Sequence, residues 1–214
     1  AQETAWMAQR GQYNVPRLLQ RNDKLTTMLA FSHFAESAMR AAHLCARSYA
    51  PYYKWLLHST EQLPQGAELA ALLQKSTTLP LEQWETEIIA PVCAIIARQM
   101  KEQGISTQEE SYMQVHAEAA AQQAALLEQK EVLVEKIARL EFSEFDKVKN
   151  EGVRAGCQDD WETFSIMRKS QYLTWELPML EQYWAELQNA SQRGWNLLTE
   201  KYARMMASTA PEAY

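Results

Sequence analysis

A chain of 214 residues, 47% hydrophobic and 22% charged, can bury a core as one large helical domain or two small ones. Its 21 basic and 27 acidic side chains give a formal net charge of −6, which argues against general nucleic-acid binding, a process driven by phosphate neutralisation. No apolar run approaches the roughly 18 to 20 residues of a membrane span, and the N-terminus lacks the basic-then-apolar pattern of a signal peptide. Cys45, Cys93 and Cys157 are odd in number and form no C-x-x-C pair. They fit reduced thiols and a cytoplasmic location better than a disulfide framework. The chain starts at Ala1 inside a helical pattern, AQETAWMAQRGQYN, as expected of a fragment or processed form of something longer.

Strand patterning is almost absent, with few glycines, sparse Val and Ile and no alternating run between hairpin turns. The expected fold is all-α: about nine helices forming a helical bundle in two abutting halves, residues 1–126 and 127–214. Asp23 is placed to cap a helix from Lys24 to about Arg47, whose Met28, Phe31, Phe34, Ala38, Ala42 and Cys45 follow helical spacing. Pro51 permits a short helix through YYKWLLHS, and PQGAELAALLQKS makes a third. Pro80 opens a long helix that ends near Gly104 and is kinked at Pro91. Ser106 and Glu109 have capping-box spacing, which predicts the next helix start there. One long helix or two abutting ones then reach about residue 150, with the Gln/Ala-rich stretch 119–125 as the candidate seam. Three more helices follow, from Asp159 or Asp160, after Pro178, and from near Asn196 through LLTEKYARMM.

RGQYNVPRLLQRNDKL followed by RSYAPYYKWLLHSTEQLP resembles the C-terminal helical region of a family of uncharacterised bacterial nucleotidyltransferase-like proteins. The resemblance covers roughly residues 9–120 and is most specific at YAPYYKW. It implies a substrate-side helical module, because in such proteins a preceding α/β domain carries the catalytic acids that bind metal and nucleoside triphosphate. No strand with a Gly-Ser motif and paired acids is found here, and the acids of DDWE sit at a helix start, where Asp159 and Glu162 read as a capping pattern. In YAPYYKW, Lys54 is a candidate partner for a phosphate or carboxylate, and Tyr52 or Tyr53 a candidate pocket wall. The alternative is a helix with aromatic core contacts and a snorkelling lysine. His33, Glu36, Arg40 and His43 share one helix face, where an arginine among them disfavours a metal site. A polar solvent face with a Glu36–Arg40 pair is the reading adopted.

From about residue 130 to 214 the chain resembles a second bacterial family of unknown function, with the approximate signature N-E-G-G-R-A-x-C-Q-D-D, T-F-x-I-M-R-x-S-Q, N-L-x-x-E-K-Y-A-R-M-M and T-x-P. The matching stretches are NEGVRAGCQDD, TFSIMRKSQY, NLLTEKYARMM and TAP. Val153 stands where the pattern has a second glycine, and would be strained if that glycine takes a positive φ. This resemblance implies no activity, so the chemistry rests on the residues. Arg154, Arg168, Lys201 and Arg204 are four cations in an acidic half. Phe164, Met167 and Tyr172 are expected to face the core, with Arg168 at its boundary.

Half-buried arginines need partners, and Glu151, Asp159, Asp160, Glu162 and Glu200 are within reach in sequence. Two accounts stay open. One is an ion-pair and capping network that pins three helices, with Gly152 and Gly156 in tight turns. The other is an anion pocket, in which the amides opening the helix at 160 and the guanidinium groups of Arg154 and Arg168 hold a phosphate or carboxylate. Gln158, Asp159, Lys201 and Arg204 complete that candidate site. For Cys157 the reading adopted is a small buried thiol in a tight loop; beside Arg154 and a helix N-terminus it is also a candidate nucleophile, and Asp160 is a second catalytic candidate.

The functional expectation is therefore a soluble helical protein that binds a small anionic ligand at the 150–160 loop and the helices carrying Arg168 and Lys201. The alternative is a non-catalytic interaction or regulatory module that docks on a separate nucleotidyltransferase-type catalytic domain. A large exposed apolar patch on residues 1–60 would favour the latter. No metal site, cofactor, nucleic-acid partner or membrane partner is read from the sequence.

Overall fold

The computed structural model describes residues 1–149 and 154–209. It is 78% helical, and the described residues contain no strand and nine helices once abutting segments are joined. They are α1 (residues 2–20), α2 (Lys24–Cys45), α3 (Tyr53–Glu61), α4 (Gly66–Gln74), α5 (residues 81–102), α6 (Met113–Phe145), α7 (Trp161–Tyr172), α8 (Leu177–Gln192) and α9 (Leu197–Thr209). Val153, where strain is expected, and Gly152 lie outside the described residues, as do Glu151 and the Ala210 and Pro211 of the TAP stretch. No described helix is long and apolar enough to cross a membrane. The chain divides into two compact units, Ala1–Ala124 and Ala125–Tyr214, and the boundary falls inside α6.

In the N-terminal unit, Asp23 accepts the Thr26 N–H at 3.1 Å and so starts α2. Phe31, Phe34, Ala38, Ala42 and Cys45 form its buried stripe against Ile88, Val92, Cys93 and Ile96 of α5. Met28 occupies the expected spacing but is exposed, on the rim of a groove shared with Leu57 and Trp84. Gly11 lies in a π-helical segment of α1, and a Cβ there would fall 2.8 Å from Phe34 Cε2; the close approach of the two helices requires that glycine. At Pro91 the expected irregularity takes the form of a π-helical segment, Glu85–Ile89, just ahead of the missing N–H. Gly104 at φ +67° follows the helix end.

The helix start expected at Ser106 is displaced to Met113. The Ser106 hydroxyl is bonded to buried His116 Nδ1 at 2.8 Å, and His116 Nε2 lies 2.6 Å from the Glu110 carbonyl. Gln12 supplies the missing cap, accepting the Met113 N–H and donating to the Ser111 carbonyl, both at 2.8 Å. A side chain from α1 therefore decides where α6 begins.

In the C-terminal unit, Val134, Ile137, Tyr172, Leu180 and Leu187 form the buried core, flanked by Trp175, Tyr183 and Trp184. The end of α6 is held by side chains from elsewhere in the unit. Gln158 donates to the Phe145 and Val148 carbonyls at 2.9 Å each, and Asn196 donates to the Glu144 carbonyl at 2.7 Å. The same Asn196 caps α9 by accepting from the Leu198 and Thr199 N–H groups. These bonds fix the α7 N-terminus and the start of α9 around one turn of α6.

Candidate functional site

Val134, Ile137, Ala138 and Phe145 place their side chains on the buried stripe of α6 at helical spacing, and Glu141 falls on that same stripe. Its side chain is fully buried, so its charge needs compensation. Two phenols donate to Oε1, Tyr172 at 2.7 Å and Tyr183 at 2.5 Å. Arg168 Nε stands 3.3 Å from Oε2, in an ion pair without hydrogen-bond alignment, and Oε2 has no hydrogen-bond partner among the described residues. Burial first, and the Glu141 charge second, push both phenols well above their ordinary range. Each therefore stays a proton donor to the carboxylate.

Arg168 is 15% exposed through its side chain and lies over the Phe164 ring, 5.2 Å from its centroid. Its outer side faces a cavity of about 250 Å³. Phe145 forms the back wall, stacked between Phe164 (5.4 Å, 21°) and Tyr202 (5.4 Å, 23°). Thr163, Gln171, Asp160 and Cys157 supply the polar rim, and Met167 completes the lining. Lys201 is near enough to sense this pair. Its ammonium is held below the ordinary lysine range by partial burial, then by repulsion from Arg168, with Glu141 pulling the other way.

The other residues singled out by sequence are placed differently. Arg154 is an exposed clamp that pairs with Asp159 at 2.9 Å and with Asp146, and also donates to the Asp146 and Gln158 carbonyls. These bonds push its guanidinium up and pull the Asp159 carboxyl down. Asp160, not Asp159, caps α7, accepting the Thr163 N–H at 3.0 Å. An anion arriving at those amides would meet that carboxylate. Arg204 pairs with Glu200 on the surface of α9. Arg154, Arg168 and Arg204 thus pair with three different sets of carboxylates.

Two expectations about packing are corrected. Met167, expected in the core, is 66% exposed, and only Tyr172 of its expected set is fully buried. Cys157 is exposed instead of buried in its turn; Cys45 and Cys93 are the buried thiols. Tyr52 and Lys54 belong to the N-terminal unit, where both are exposed. The Tyr52 and Tyr53 rings meet at 4.4 Å in a tilted contact (52°), and Lys54 lies 5.5 Å from the Trp55 ring. The aromatic residues of YAPYYKW are therefore not core contacts. Glu36 and Arg40 pair at 3.0 Å, whereas His43 is buried, bonded to Ser48, and pushed to lower pKa by burial. No cluster of His, Cys, Asp or Glu that could hold a metal occurs among the described residues.

Glu141, Tyr172 and Tyr183 carry the buried chemistry that the sequence reading passed over. The signal was present: a carboxylate four residues after Ile137 and four before Phe145 belongs on an apolar face, where a charge needs partners.

Residues 131–213 match a family described as a protein of unknown function, DUF4125, and residues 1–56 match a domain of unknown function, DUF4037. Neither a curated protein nor a solved structure matches the chain. The first match spans every lining residue of the cavity together with Glu141, Tyr172 and Tyr183. The second ends just after Tyr52, Tyr53, Lys54 and Trp55.

Proposed function

We propose that the C-terminal unit binds a small anionic ligand in the cavity beside Arg168. The observation that carries this reading is the arginine itself. Its guanidinium is largely buried, forms no hydrogen bond among the described residues, and borders an open cavity with apolar walls. An arginine kept only for architecture would be expected to saturate its donors. Asp160 contributes to the rim, and Lys201 adds positive potential from α9. Cys157 and Asp160 remain candidates for chemistry at the rim, with no base assigned to either.

Melting curves with millimolar carboxylates and phosphate test the idea, since a ligand bound only by the native state raises the melting temperature. Arg168→Met should abolish the response, and Arg204→Met, which alters only a surface pair, should keep it. Because Arg168→Met also breaks the pair with Glu141, Met167→Glu provides a second variant that places a negative charge at the exposed rim. An undiminished response in both Arg168→Met and Met167→Glu would retire the cavity.

A second reading rests on the N-terminal unit. Leu25, Leu29, Tyr49, Tyr52, Tyr53 and Trp55 are exposed within the first sixty residues, an apolar display of the kind that marks partner surfaces. The resemblance to a nucleotidyltransferase helical region favours a separate α/β catalytic domain as the partner. Titration of such a domain should change Trp55 fluorescence saturably; an unchanged signal would remove this reading.

A further inference from the structure

Charge, volume and wall chemistry narrow the ligand class, on the premise that the cavity beside Arg168 is the binding site. Arg168 is the one cation among the residues lining the cavity, and its only carboxylate partner among the described residues is Glu141, in a poorly aligned pair. Asp160 is committed to the α7 N-terminus and keeps its negative charge at the rim, its carboxyl pulled down by the Thr163 hydrogen bonds. One added negative charge can be met by the Arg168 guanidinium, which forms no hydrogen bond among the described residues. A second would find no further cation in the lining and would face Asp160, and like charges repel.

The volume of about 250 Å³ falls below the roughly 300–1,000 Å³ of sites that enclose drug-sized ligands. A nucleotide is therefore too large to be enclosed. The walls are Phe145, Phe164 and Tyr202, three rings in a near-parallel run, with exposed Met167 beside them. A planar ring packs favourably on such a wall, in offset or edge-on contact, and the flexible thioether adapts to its outline. Arg168 already lies over Phe164, so a carboxylate paired with its terminal nitrogens would be attached to a body lying along the rings.

We infer that the cavity selects a monoanionic carboxylate carried on a small aromatic body and rejects phosphate esters and nucleotides. Cys157 offers a local readout, because it lines the cavity and is exposed while Cys45 and Cys93 are buried. Native-state alkylation by iodoacetamide therefore reports on this site. In the full chain, 3-phenylpropionate at roughly ten times its dissociation constant should slow Cys157 alkylation roughly tenfold, the mass-action factor for a bound site. Acetate and the neutral isostere 3-phenylpropanol should protect far less, and inorganic phosphate and AMP not at all. Calorimetry on the same five probes detects any that binds without shielding the thiol. Arg168→Met and Met167→Glu should each remove the effect of 3-phenylpropionate.

Binding of phosphate or AMP without 3-phenylpropionate would keep an anion site and overturn the carboxylate class. Equal binding of 3-phenylpropanol would overturn charge selection, and equal binding of acetate would overturn the role of the ring wall. No heat and no protection from any probe would overturn both this inference and the site on which it rests.

Discussion

Replacing Tyr172 by Phe removes one hydroxyl from a side chain that is almost fully buried and takes away the 2.7 Å bond to Glu141 Oε1. Tyr183→Phe removes the 2.5 Å bond to the same oxygen. A hydrogen bond to a charged group contributes about 1.5–3 kcal/mol, so each single substitution should cost that much. The two share one acceptor and should not add. After the first, the carboxylate retains one phenol; after the second, only the poorly aligned pair with Arg168 is left. The double variant should therefore lose more than the sum of the singles.

A Glu141→Gln background supplies the control. The acceptor is then a neutral amide, and the contribution of each hydroxyl falls to about 0.5–1.5 kcal/mol. Tyr172→Phe and Glu141→Gln should thus couple by about 1 kcal/mol. Urea unfolding followed by fluorescence measures this, since Trp175 packs at 4.9 Å from Tyr172 and 5.6 Å from Tyr183. Amide exchange across α7 and α8 assigns the loss to the C-terminal unit. Equal losses in the Glu141 and Glu141→Gln backgrounds would refute a charged acceptor.

Three further outcomes follow from the same geometry. Folded Tyr172 and Tyr183 keep their protons above the ordinary phenol value of 10.0. The stability they carry is complete below pH 10 and falls as pH rises beyond it, by up to about 1.4 kcal/mol per pH unit for each phenol. Urea midpoints taken on either side of that value should diverge less for the double Phe variant. Under native conditions iodoacetamide should label Cys157 alone, because burial closes off Cys45, its thiol pushed up to about 11, and Cys93; mass spectrometry of the labelled chain reads this directly. Gln158→Ala strips the Phe145 and Val148 carbonyls of a buried donor and should cost about 1–3 kcal/mol in urea unfolding.

Helix existence was legible because its signals are local. Asp23 and Asp160 cap the helices that follow them, the stripe from Phe31 to Cys45 repeats at helical spacing, and Gly104 marks an end. The start of α6 was not legible, because the groups that set it, Gln12 and Met113, lie far apart in sequence. The same holds for Arg154: Asp159 is a close neighbour, but Asp146 comes to it across the end of α6. Partner choice among many acids depends on which helix ends meet, and a single sequence does not encode that in any local window. Met167 misled for another reason. Its spacing suits a core, yet the unit leaves a cavity where a packing partner would be, so an apolar side chain remains exposed.

Whether the Glu141 cluster serves architecture or ligand binding can be decided by replacing all of it. Removing one member of a buried ion pair is destabilising, but substituting the whole set with apolar residues of similar size is often neutral, or stabilising by about 1–4 kcal/mol. Glu141→Leu, Arg168→Met, Tyr172→Phe and Tyr183→Phe together leave neither a charge of this cluster nor an orphaned phenol. Tyr172 and Tyr183 already pack their rings against Trp175, contacts that Phe preserves. If the cluster is present for the cavity, the fourfold variant should melt at or above the wild-type temperature, and 3-phenylpropionate should no longer shield Cys157. A fourfold variant that unfolds far below the wild type would make the cluster architectural, because the polar network would then outperform the apolar core that replaces it. Retained shielding would show that the probe binds without the guanidinium, which would remove Arg168 from the site.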